Sequence, residues 1–456
     1  MELLEGTMEG TPSPEDISPG VQRIAKLARQ APGMAFTTLA HHITTELLLE
    51  AYLGTRRDGA VGVDGQTADT YAIRLEENLS ELLDRFKSGR YKAPPVRRAH
   101  IPKADGRSTR PIGIPTFEDK VLQRAVLMVL EAIYEQDFLA CSYGFRPHRS
   151  AHQALDALWE GLMRMRGGWV LEVDIKSFFD TLDHGDLRSF LDRRVRDGVI
   201  RRMIDKWLKA GVLEEGSLTY PDAGTPQGGV ISPLLANIYL HEVLDMWFEG
   251  EVKPRLRGSA FLIRYADDFV IAFELESDAR RVLEVLPKRF WRFGLTLHPE
   301  KTRLVLFSRP KGTPRDGRPA RGDRPGTFDL LGFTHYWKVS RKGNWVIARK
   351  TAKDRLARAI RRITQWCKVN RHLPVEDQHQ ALVRKLKGHF GYYGITGNAA
   401  SLNRFRTQAT RAWRTWLGRR SQKARLTWER FCRLLKRYPL PSARVVHSVY
   451  RHAANP

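Results

Sequence analysis

Phe261-Leu262-Ile263-Arg264 and Phe269-Val270-Ile271-Ala272-Phe273 are two short β-prone runs, and only Tyr265-Ala266-Asp267-Asp268 separates them. That spacing predicts a tight hairpin with two adjacent carboxylates at its tip. Neighbouring aspartates raise each other's pKa, and desolvation beside an apolar hairpin penalises both charges. A bound divalent cation removes that penalty. Asp-Asp pairs are also at home in solvated hairpin turns, so the choice between the two readings falls to the rest of the chain.

A third carboxylate stands at the end of another apolar strand, in Val170-Leu171-Glu172-Val173-Asp174-Ile175-Lys176-Ser177-Phe178-Phe179-Asp180. Asp174 completes a site of the two-metal kind, in which one ion acidifies an attacking hydroxyl and the other stabilises leaving oxygens. Magnesium suits that work, being a hard cation that takes oxygen ligands and bridges to phosphates. Asp180 and Asp183 follow as turn or helix-capping acids. Gly224-Thr225-Pro226-Gln227-Gly228-Gly229-Val230-Ile231-Ser232-Pro233 gives a glycine-rich turn that lets backbone approach a ligand, and Ser232-Pro233 reads as a helix start.

In this order the three segments resemble reverse transcriptases encoded by bacterial group II introns. Further blocks extend the likeness: Asp58 to Gly65, Pro94 to Arg98 with Ile101-Pro102-Lys103, Arg110 to Thr116, Ser142 to Pro147, Gly294 to Leu297 with Lys301-Thr302, and Leu330-Leu331-Gly332-Phe333. Leu330 stands where the family commonly has phenylalanine. The resemblance implies that Asp174, Asp267 and Asp268, with the carbonyl of Ile175, ligate two Mg2+ ions. It gives Lys103 and Arg110 the incoming triphosphate, for which cationic donors are suited. Phe179 matches the aromatic that excludes a 2′-hydroxyl by steric rejection, and Gln227 lines the nucleotide pocket. Read without the family, Lys103 and Arg110 serve equally as solvated charges, Phe179 as core and Gln227 as a turn residue.

Charge divides the chain. Of a net +25 over 456 residues, residues 341–456 hold 28 Lys and Arg against 4 Asp and Glu, leaving only +1 for residues 1–340. Such an excess suits an anionic partner such as nucleic acid. Arg349 to Cys367 and Ser401 to Leu417 show apolar residues at helical spacing, so most tryptophans of this quarter are expected in helix cores and the arginines on the surface. Gly388 to Gly394, Trp413 to Trp416, Arg420-Ser421-Gln422 and Leu426-Thr427-Trp428 resemble the thumb and maturase region that binds intron RNA in the family. Arg411, Arg414, Arg419 and Arg420 are the RNA-binding candidates.

The expected fold is α+β: a right-hand polymerase with a ferredoxin-like palm, mixed α/β fingers and an α-helical basic thumb. Residues 1–20 read as a disordered leader, 21–83 as an N-terminal extension or finger segment, 84–336 as reverse transcriptase fingers and palm, and 341–456 as thumb and maturase region. Thr116, with Asp119 three residues on, is expected to cap a helix whose Val121, Leu122, Ala125, Val126, Val129, Leu130 and Ile133 form a buried stripe. Lys311 to Gly326 reads as an exposed insertion.

No signal-peptide or membrane-spanning pattern is seen, and a cytoplasmic protein is expected. Cys141, Cys367 and Cys432 have no paired spacing for a zinc site. With so few cysteines, and only His447 and His452 near the end, the form of the family without the His-Asn-His endonuclease is expected.

The implied activity is RNA-directed DNA polymerisation, together with help to intron splicing and mobility. The partners are group II intron RNA, an RNA template with a DNA primer, deoxynucleoside triphosphates and a DNA target, with no membrane. A maturase acting independently of polymerisation, and a free-standing enzyme of defence or repair, remain as alternatives.

Overall fold

The computed structural model describes residues 18–102, 109–214, 217–220, 224, 228–311, 325–420 and 426–448. Its strands are β1 (Val96–Pro102), β2 (Thr109–Ile114), β3 (Trp169–Val173), β4 (Val212–Glu214), β5 (Ser217–Thr219), β6 (Ala260–Tyr265), β7 (Asp268–Phe273), β8 (Arg303–Leu306), β9 (Phe328–Leu330), β10 (Phe333–Val339) and β11 (Trp345–Thr351). With the helices between them they make a mixed α and β fold. The chain forms two compact units, one from the described residues up to 154 with 171–304, the other from 155–170 with 305 onward.

The first unit is built around the Phe117–Tyr134 helix, and Thr116 caps it by accepting a hydrogen bond from the Asp119 amide at 3.3 Å. The apolar stripe is present, but burial runs round nearly the whole helix and takes in Gln123 and Glu131. The helices Pro19–Gln30 and Thr45–Leu53 pack on it from other sides. The first of these corrects the end of the expected leader. Pro19 occupies the first helical turn, where its fixed φ favours a helix, and Val21, Ile24 and Ala28 are buried. Residues 1–17 lie outside the described residues.

One sheet has the order β2-β1-β4-β5, with β1 and β2 an antiparallel hairpin and β4 parallel to β1. A second has the order β6-β7-β3-β8. Its strands follow the chain order β3, β6, β7, β8, with helices between β3 and β6 and the Glu276–Trp291 helix between β7 and β8.

The second unit holds the sheet β11-β10-β9 and the helices Lys353–Val369, Val375–Tyr393, Ala399–Leu417 and Trp428–Arg437. The expected helix from Arg349 begins only at Lys353, because residues 345–351 pair with β10. Arg349 is buried and donates to Asp156 at 2.9 Å. A buried arginine breaks the period that sequence reading relies on. Trp413 is fully buried, Trp366 and Trp416 are partly buried, and Trp428 is exposed, so the core expectation holds at Trp413 and fails at Trp428. The Lys311 to Gly326 insertion falls largely outside the described residues. Among the described residues no helix is long and apolar enough to cross a membrane, and the three cysteines are free.

Candidate active site

Tyr265 pairs with Asp268 across the β6–β7 hairpin, leaving Ala266 and Asp267 as a two-residue turn. Ala266 takes φ +56°, in the left-handed region that hairpin turns favour and that costs a non-glycine residue about 1–2 kcal/mol. The turn is braced from behind by Ser142-Tyr143-Gly144. The Tyr143 amide donates to the Arg264 carbonyl at 2.9 Å and the Arg264 amide to the Cys141 carbonyl at 2.8 Å. A Cβ on Gly144 would lie 2.3 Å from the Ala266 nitrogen, so only glycine allows this approach.

Asp174 leaves β3 on the strand next to β7. Its backbone is fixed by the His298 amide donating to the Asp174 carbonyl and the Lys176 amide to the Thr296 carbonyl, both at 2.8 Å. Ile175 sits between these bonds, opposite Leu297, and its carbonyl is not used by them. The Lys301 ammonium lies 3.2 and 3.1 Å from the two Asp174 carboxylate oxygens, a cation where a metal ligand is expected.

Desolvation holds Asp267 above the ordinary carboxylate pKa, and the charge of Asp174 adds to the rise; backbone hydrogen bonding and Arg110 oppose it. Carboxylates and a main-chain carbonyl form a hard oxygen donor set that fits magnesium. Among the described residues no three His, Cys, Asp or Glu side chains form a ready-made metal cage.

The flanks of the glycine-rich turn join the nucleotide-binding candidates. Gly228 at φ +113° packs so closely on β2 that an added Cβ would lie 2.4 Å from the Gly113 carbonyl oxygen, three residues along from Arg110. An added Cβ on Gly224 would lie 2.6 Å from the Phe179 carbonyl oxygen. Phe178 is buried as core, whereas Phe179 is partly exposed beside it. Lys103 and Gln227 lie outside the described residues. Asp183 is the cap of the His184–Asp192 helix. Ser232 falls inside the first turn of the Ser232–Leu240 helix rather than before it.

Sequence reasoning missed a buried cluster that carries the end of that turn. The Asp119 carboxylate accepts from the Tyr91 hydroxyl at 3.0 Å, Trp207 Nε1 at 2.7 Å and Gln123 Nε2 at 2.9 Å. Gln123 Oε1 in turn accepts from the Ile231 amide at 3.3 Å. Burial pushes Asp119 up to about 6, against the pull of its three donors. In the sequence Asp119 shows only as part of a helix cap.

Of the basic candidates, Arg411 and Arg419 are exposed, and Arg419 lies over the Trp416 ring at 5.0 Å. Arg414 lies over Trp428 at 4.8 Å. Arg420 is partly buried and donates to the carbonyls of Arg371 and Leu373, so its fork is engaged within the second unit.

Paired carboxylates at a strand turn, with a third at the end of the neighbouring strand, are groups of the kind that can hold divalent metal for phosphoryl transfer. Residues 101–335 match the family model described as reverse transcriptase (RNA-dependent DNA polymerase), and the chain belongs to that family. It is 36% identical over 282 residues to the group II intron-encoded protein LtrA of Lactococcus lactis subsp. cremoris, covering 59% of this chain and 46% of LtrA. It is also 36% identical over 328 residues to protein YkfC of Escherichia coli (strain K12), covering 63% of this chain and 84% of YkfC. Nuclear intron maturase 2, mitochondrial, of Arabidopsis thaliana is 29% identical over 228 residues, 40% of this chain and 31% of that protein. The chain thus spans about half the length of LtrA.

Proposed function

We propose that this chain is the RNA-directed DNA polymerase of a group II intron, extending a DNA primer on an RNA template and also assisting splicing and mobility of the intron RNA. The observation that carries the reading is the placement of Asp174 at the end of β3 and of the Asp267-Asp268 turn at the start of the adjacent β7.

In this reading the β6-β7-β3-β8 sheet is the palm, since its order and connections suit a ferredoxin-like β-α-β-β-α-β unit. The β1–β2 hairpin belongs to the fingers, and the helices from Lys353 onward form a basic thumb. The linear division is 21–83, 84–336 and 341–456.

Asp174, Asp267, Asp268 and the Ile175 carbonyl would hold two Mg2+ ions, which when bound acidify the primer 3′-hydroxyl and stabilise the leaving pyrophosphate. Arg110 and Lys103 grip the deoxynucleoside triphosphate. Phe179 would pack against its sugar and reject a 2′-hydroxyl, and Gln227 would line the pocket. Primer extension by Asp267→Ala and Asp174→Ala proteins tests the assignment. Near-normal extension by either would show that the metal site lies elsewhere.

The maturase role is favoured by a separate observation, the exposed Arg411 on the tryptophan-bearing Ala399–Leu417 helix and the exposed Arg419 in the turn just after it, and by the name of the Arabidopsis relative. The same surface suits intron RNA and, during mobility, a DNA target. Splicing assistance should survive Asp267→Ala and fail when Arg411 and Arg419 are neutralised.

A further inference from the structure

We propose that Arg264, clamped by Asp245, is a positioning residue that sets where the Asp267-Asp268 turn stands. The inference rests on the metal-centre reading above. Arg264 and Asp245 are both completely buried. Arg264 Nε donates to Asp245 Oδ1 at 2.8 Å and Nη2 to Oδ2 at 2.6 Å, a two-pronged pair. Nη1 donates to Asn237 Oδ1 at 2.9 Å and to the Ala266 carbonyl at 3.1 Å, and Nη2 also donates to Ser142 Oγ at 2.8 Å. These bonds use all five donors of the guanidinium.

The bond to Ala266 is the informative one, because Ala266 is the strained residue immediately before Asp267. The same Asn237 that accepts from Arg264 donates through Nδ2 to the Gly144 carbonyl at 2.7 Å, and Gly144 presses on the Ala266 nitrogen. Asp245 reaches the cluster from a widened helical turn, in which the Met246 amide bonds to the His241 carbonyl five residues back. Such turns are uncommon and are found disproportionately at functional sites. A buried ion pair is a poor source of stability, and apolar side chains of similar volume often do as well. What apolar residues would not supply is the hydrogen bond to the Ala266 carbonyl. Arg264 thus acts through the turn and has no need to touch substrate.

Asp245→Asn alone would leave a buried, poorly compensated guanidinium and is a weak test, because it endangers folding. The test uses the full chain carrying Asp245→Leu with Arg264→Met, which removes both charges at once, and separately Arg264→Lys, which keeps the charge but lacks the fork. Four quantities are measured: thermal melting, primer–template affinity, Mn2+ affinity by electron paramagnetic resonance without nucleotide, and single-turnover extension at saturating deoxynucleotide. Supporting outcomes are unchanged melting and primer–template affinity, with Mn2+ affinity weakened about tenfold or more and extension slowed about 100-fold at a nearly constant nucleotide KM.

A folded double variant with wild-type Mn2+ affinity and extension overturns the proposal. If the double variant does not fold, Arg264→Lys decides by the same two readings. Wild-type Mn2+ affinity in a chain whose only substitution is Asp267→Asn would instead remove the metal centre itself, and this inference with it. The two failures are therefore distinguishable.

Discussion

Gly144→Ala tests how closely the carboxylate turn is held. The added methyl would sit 2.3 Å from the Ala266 nitrogen, 2.9 Å from the Tyr265 carbonyl carbon and 3.1 Å from the Ala266 Cα, all main-chain atoms. Ordinary contact begins near 3.4 Å, so the two segments must part by about 1 Å. Neither yields freely: Tyr143 and Arg264 are joined by a 2.9 Å backbone bond, and Asn237 holds the Gly144 carbonyl at 2.7 Å. Overpacking of this kind costs about 1–3 kcal/mol of stability. A displacement of about 1 Å in catalytic groups costs about 100-fold in rate, or about 3 kcal/mol of barrier.

The assay is single-turnover primer extension at saturating deoxynucleotide, with RNA affinity and thermal melting measured on the same preparations. The expected result is a rate about 100-fold lower, RNA affinity unchanged and melting lowered by several degrees. Gly250→Ala is the control, since its methyl would meet nothing within 4 Å. Wild-type extension by folded Gly144→Ala protein would refute the claim that this contact positions Asp267 and Asp268.

Glu131 is pushed up to about 8, chiefly by burial, with Glu135 adding and Arg124 opposing. Its folded pKa is raised, so its contribution is most favourable below about pH 4.5 and is lost as pH rises toward 8. Glu131→Gln should therefore be neutral near pH 4.5 and stabilising by about 3 kcal/mol at pH 7, read by amide exchange along the Phe117–Tyr134 helix; equal stability at both pH values would contradict it.

Neutralising Arg411 and Arg419 should weaken RNA binding and flatten its log-log salt slope by about 2 without lowering the melting temperature. Arg420→Gln should instead lower melting through loss of its bonds to the Arg371 and Leu373 carbonyls; salt titrations and melts separate the two effects. Phe179→Ala should raise ribonucleotide incorporation relative to deoxynucleotide while extension with deoxynucleotides persists, and unchanged discrimination would remove Phe179 from the sugar site.

What was legible in the sequence was local. The hairpin follows from two β-prone runs with four residues between them, and the Thr116 cap from a three-residue spacing. Arg349-Lys350-Thr351 lie in β11 although helical spacing extends back to Arg349, because Arg349 is buried while looking like a surface charge. Contacts between distant segments left weaker traces. Lys301 meets Asp174 from 127 residues away, and Ser142, Asn237 and Asp245 meet Arg264 only through the fold. Arg264 did leave a clue: a charged residue within an apolar strand must find partners if that strand is buried.

The partners of Arg264 serve the turn because Arg264, near the end of β6, and Ala266, in the turn, are both buried, while Tyr265 and Asp267 are partly exposed. The buried side holds Gly144, on which an added Cβ would lie 2.3 Å from the Ala266 nitrogen, and the guanidinium, which donates to the Ala266 carbonyl. The open face is then free to present Asp267 beside Asp174. A one-residue slip of β6 would turn Arg264 outward, losing the five hydrogen bonds of the guanidinium, among them the one to the Ala266 carbonyl next to Asp267. The buried arginine thereby ties the register of the hairpin to the presentation of its acids.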